Sequence, residues 1–104
     1  MRRERFNLNS IWIIIAINLL MLVAALIYRE LIFHLGLVPE LFLSRPWTIV
    51  TSMFLHNGLW HFSANMLTLY FFWSYLSRLI GDSKFLIVYF GGGILGNILY
   101  ILLG

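Results

Sequence analysis

Three side chains capable of chemistry lie within ten residues of one another: His56, His61 and Asn65. If a helix begins near Trp60, His61 and Asn65 are four residues apart and share one face, one turn above the other. A neutral imidazole and a carboxamide each donate a hydrogen bond, and two preorganised donors aimed at one point suit the oxyanion of a tetrahedral acyl-transfer intermediate. The start of the helix adds partial positive charge in the same place. Acyl transfer is therefore the sharp reading. The bland reading makes the same pair hydrogen-bonding glue between helices, and residue type and spacing leave both open.

Other chemistries fit less well. His56 and His61 are five residues apart with no carboxylate beside them, and asparagine is a poor zinc ligand, so no metal is expected. No cofactor motif is present and none is expected. Ser63 is close to His61 but off its face, and there is no Gly-x-Ser-x-Gly or Gly-x-Ser-Gly turn to expose a nucleophile.

The surroundings of these residues are oily. Of 104 residues 62% are hydrophobic and 11% charged, with mean hydropathy +0.92, more apolar surface than a water-exposed domain of this size could hide. Lipid is the expected solvent, and residues 1–104 are expected to form a single membrane domain. The formal charge of +3 does not suggest nucleic acid, because the basic residues sit at the ends of apolar runs without forming a stripe. With no cysteine, disulfides and thiolate chemistry are excluded.

Three spans are predicted, at about 11–28, 60–80 and 85–103. The first follows a basic head and is interrupted only by Asn18. At about 1.5 Å per residue it covers roughly 27 Å, close to the hydrocarbon thickness. It exceeds a signal-peptide core, and Arg29-Glu30 stands where a small-residue cleavage site would be, so a retained anchor is expected. Between spans one and two, apolar blocks are broken by Gly36, Pro39, Arg45 and Pro46. They read as an interfacial loop with short helices, Trp47 lying at headgroup level. His34 reads as an interfacial or packed histidine. Gly81-Asp82-Ser83 is the predicted turn between spans two and three, and Gly92 and Gly96 offer close approach to another helix, with Asn97 beside them.

Arg2, Arg3 and Arg5 in the head, with Arg78 and Lys84 around the second turn, outnumber Arg29 and Arg45 in the loop. The N-terminus is therefore expected in the cytoplasm, and the mouth of span two outside. The whole is expected to be an integral, multi-pass membrane protein.

The stretch from Pro46 to Met66, with its His-x-x-x-Asn pair, an earlier histidine and a small residue between, resembles the rhomboid family of intramembrane serine proteases. The likeness continues through Gly81 and Phe85-Leu86-Ile87-Val88-Tyr89 into the glycine-rich third span. It implies an all-α membrane protein whose three transmembrane helices, with an interfacial loop after the first, form the N-terminal portion of a rhomboid-like helical bundle. It implies that His61 and Asn65 donate to the oxyanion and that His56 lines the same pocket. The partners implied are the lipid bilayer, transmembrane protein substrates and the C-terminal half of the fold.

The family's serine nucleophile, in a Gly-x-Ser-Gly turn on span four, and its base histidine, on span six, have no counterparts among these 104 residues, which are expected to be inactive alone. Two alternatives stand beside the endopeptidase: a non-catalytic rhomboid-like protein that binds transmembrane helices, and a small structural membrane protein. Two departures concern bracing. The family's loop has Trp-Arg where this chain has Trp47-Thr48, and the glutamate four residues before the helix-ending glycine is Ser77 here.

Overall fold

The long uncharged run forms the first helix, α1, over Ser10–Ile27. In this computed structural model, which describes residues 9–56 and 58–103, Ile11, Ile14, Asn18, Leu22 and Ala25 are buried. Their three- and four-residue spacing makes one stripe down the helix, and the opposite face leaves Leu20 and Ile27 exposed. Such a face is suited to acyl chains rather than water. The start expected at Asn9-Ser10 is observed, but Asn9 makes no side-chain cap. Instead the Ser10 N–H and hydroxyl donate to Asp82, at 3.0 and 2.8 Å.

The loop after α1 is built from short turns: α2 at Glu30–Leu35, a 3₁₀ turn at Pro39–Ser44, α3 at Thr48–Thr51 and a second 3₁₀ turn at Ser52–Phe54. Pro39 and Pro46 prevent any longer helix from forming across it. Its pieces are tied back to the end of α2. Trp47 Nε1 donates to the His34 carbonyl at 3.0 Å, and the Thr51 hydroxyl donates to the Leu35 carbonyl at 2.8 Å. Arg45 donates from Nη1 to the Phe33 carbonyl at 2.6 Å and lays its guanidinium 4.1 Å from the centre of the Phe33 ring. A loop arginine therefore braces this turn from two residues before Trp47, where the family's pattern has it one residue after.

Helix α4 (Leu59–Ile80) and helix α5 (Asp82–Leu103) follow. Glycines bracket α4: Gly58 has φ 95° and Gly81 φ 89°, left-handed values that a side chain would strain. Because Gly81 alone reverses the chain, α5 begins at Asp82, and the predicted three-residue turn and the helix start at 85 are corrected accordingly. Asp82 is fastened at once, since its carboxylate also accepts from Trp73 Nε1 at 2.7 Å. One side chain thus joins α1, α4 and α5 at one end of the molecule.

Helix α4 packs between α1 and α5, and the described residues contain no strand. Aromatic rings fill the contacts, Trp12 against Tyr70 and Phe72 against the fully buried Phe85. Two helices, α1 and α5, are long and apolar enough to cross a membrane. Helix α4 is as long as α5, but His61, Asn65, Ser74 and Arg78 dilute its apolar character. Of the α5 glycines, Gly92 and Gly96 have no atom within 4 Å of where a Cβ would stand; Gly93 is the one in use, receiving the side chain of Met53. Among the described residues nothing packs on the Gly92/Gly96 pair, and the close contact on α5 is made at Gly93 by a loop methionine.

Candidate functional site

Asn18 is the polar interruption in α1, and it is fully buried. Its Nδ2 donates to the carbonyl of Ile14 at 2.7 Å, and its Oδ1 lies 2.6 Å from Nε2 of His56. Asn18 precedes the end of α1 by nine residues, or about 13 Å of helix rise. The segment leading into α4 therefore dips well inside the bundle before the helix starts. Asn97 holds the wall of the dip from α5, donating to the Ile49 carbonyl at 2.7 Å and to the Ser52 hydroxyl at 3.0 Å.

At the bottom, the His56 ring meets the rings of His61 and Phe62 nearly edge-on, with centroids 5.5 and 5.7 Å apart. His61 is exposed at the first turn of α4, and Asn65 is half-buried one turn on. Asn65 Nδ2 donates to the His61 carbonyl at 2.9 Å, which uses one of its two hydrogens and leaves the other for a second acceptor.

Two hollows open beside this cluster. One, of about 540 Å³, is walled by Asn65, Met66, Phe72 and Tyr89; the other, of about 570 Å³, by Arg29, Ser52, His61 and Tyr100. His56 and Asn97 line both. The structure thus brings His56 to His61 directly and Asn65 to the same helix turn, while dividing the single notch expected from spacing into two chambers. No group of three or more His, Cys, Asp or Glu side chains able to hold a metal occurs among the described residues.

Burial, and next the charge of neighbouring His61, lower the His56 pKa from the ordinary 6.5. The folded form therefore binds fewer protons than the unfolded chain, so stability is intact above pH 6.5 and falls as pH drops through the lowered value. Thermal unfolding in detergent micelles should show the midpoint declining as pH drops below about 6.5, with a shallower decline in His56→Gln. Equal slopes in the two proteins would remove His56 as the source.

Sequence reasoning found the three residues of α4 and its approach but gave Asn18 and Asn97 no role. A lone amide in an apolar run was the available signal, because such a group must find a partner inside the protein.

The chain belongs to the rhomboid family of membrane proteins. The Rhomboid domain family matches residues 43–104. The chain is 40% identical over 52 residues to the "Putative rhomboid protease YdcA" of Bacillus subtilis, a match covering 50% of this chain and 26% of that protein. It is 36% identical over 56 residues to the inactive RHOMBOID-like protein 8 of Arabidopsis thaliana, covering 54% and 16%. An uncharacterized mitochondrial rhomboid protein of Schizosaccharomyces pombe is 40% identical over 58 residues, covering 56% and 15%. The matched stretches thus span about a quarter of the length of YdcA and less than a fifth of the other two relatives. No solved structure gives a significant match.

Proposed function

We propose that this chain supplies the oxyanion-stabilising part of a rhomboid-type intramembrane serine endopeptidase that cleaves peptide bonds of transmembrane proteins. His61 and Asn65 are the donors, each bordering one of the two hollows, and His56 lines both. In this reading α1, α4 and α5 all cross the bilayer, with the N-terminus in the cytoplasm and the His61 end of α4 outside. The serine that attacks and the histidine that takes its proton come from polypeptide outside these 104 residues. No metal or cofactor takes part.

The observation that carries the reading is the placing of His56 against His61 at the positive end of α4, sunk below the end of α1 and open to a hollow on either side. As the scissile carbonyl becomes tetrahedral, charge develops on its oxygen, and donors already held in position stabilise it without reorganising.

The division of labour is tested with a serine-directed fluorophosphonate. The 104 residues, purified in detergent, should not be labelled, whereas the polypeptide that cleaves should be. Robust labelling of the 104 residues would place a nucleophile within them and overturn the assignment. The likeness to a relative named inactive favours a second reading, a rhomboid-like protein that holds transmembrane helices without cutting them. Absence of cleavage by every polypeptide containing residues 1–104, with retained binding of a transmembrane helix, would select it.

A further inference from the structure

We propose that Asn18 is a positioning residue, which holds His56 as the neutral tautomer protonated on Nε2 and so sets the ring against which His61 rests. Asn18 is oriented by Ile14. Its carbonyl can only accept, so the Asn18 atom 2.7 Å away is the amide nitrogen, and Oδ1 is left facing His56. The reverse orientation would place two oxygens together at that distance. An acceptor at 2.6 Å requires a hydrogen on His56 Nε2. In the neutral ring, Nδ1 is then bare.

Two observations agree with this. Nδ1 of His56 is buried and has no hydrogen-bond partner, a burden smaller for a neutral lone pair than for the N–H of an imidazolium. The proton of a second, charged state is also opposed by burial and by His61. Since the Nε2 hydrogen is committed to Asn18 and Nδ1 carries none, His56 cannot donate to an oxyanion. Its part is to fix the place of the His61 ring, 5.5 Å away. The orientation thus passes from a backbone carbonyl of α1, through Asn18 and His56, to His61.

The link from His61 onward rests on the oxyanion role proposed above, but the tautomer does not. It is read by nitrogen NMR of the chain labelled with ¹⁵N-histidine in detergent micelles at about pH 7.5, with His34→Gln and His61→Gln used for assignment. His56 should show one neutral tautomer with the hydrogen on Nε2; an Nδ1–H ring or a rapidly exchanging mixture would overturn the proposal. Asn18→Asp keeps an acceptor facing Nε2 and should keep the hydrogen on that nitrogen, even though it gives up the bond to the Ile14 carbonyl. Asn18→Leu is close in size but offers no acceptor, and should lose it.

If Asn18 were merely filling space, the order would reverse, Leu preserving the ring environment and Asp disturbing it, and that order would also sink the proposal. In the polypeptide that cleaves, Asn18→Leu should lower kcat on the order of 10- to 100-fold through misplacement of His61, with KM little changed. An unchanged kcat with the tautomer lost would refute the positioning of His61. Cleavage absent from the unsubstituted polypeptide, with the tautomer as stated, would instead count against the protease reading and leave the Asn18–His56 assignment standing.

Discussion

Replacing His61 by alanine in the polypeptide that cleaves should lower turnover by about two to three orders of magnitude, the cost expected for removing one oxyanion donor. His61 stands exposed on the first turn of α4, where the backbone N–H groups of the helix start also point outward. Deleting its ring removes a donor used only once charge has developed, so kcat should fall with KM nearly constant. Membrane insertion should persist, because the apolar faces of the helices are untouched.

Asn65→Ala should cost less, about one to two orders of magnitude, since one of its two amide hydrogens already serves the His61 carbonyl. The check is a cleavage assay on a purified transmembrane substrate with circular dichroism of each variant. Turnover indifferent to both substitutions, in correctly folded protein, would end the assignment of donors.

The second large effect concerns stability. Asp82→Ala should destabilise the fold by about 2 to 4 kcal/mol, because it strands donors from two other helices. The Ser10 N–H and hydroxyl and the Trp73 indole all converge on the one carboxylate, and Ser10 is buried, so water cannot readily replace the lost acceptor. Asp82 is also the first residue of α5, where a negative charge suits the helix end. Asp82→Asn retains one acceptor oxygen and should lose about half as much. Denaturant titration in mixed micelles measures both; a loss below about 0.5 kcal/mol for the alanine variant would show that the three bonds contribute little.

Much of this architecture is legible in the residues. The apolar runs mark α1 and α5, the glycines at 58 and 81 mark the limits of α4, and the prolines mark a loop of short turns. The His61/Asn65 face follows from spacing alone. What is not legible depends on distant parts of the chain meeting. Ser10 and Asp82 are 72 residues apart, and nothing in Gly81-Asp82-Ser83 distinguishes a turn aspartate from one that pins the start of another helix. Asn18 reads as a flaw in an anchor until His56, 38 residues on, is seen beside it. The splitting of one notch into two chambers requires the depth to which residues 52–56 descend, and no periodicity records that depth.

The seating of Met53 in the space left by Gly93 also couples two distant codons. Together they share one volume, so a side chain at 93 requires the flexible end of Met53 to swing away or to be shorter. The wall of the hollow beside His56 is thereby built by a matched pair, half from the loop and half from α5.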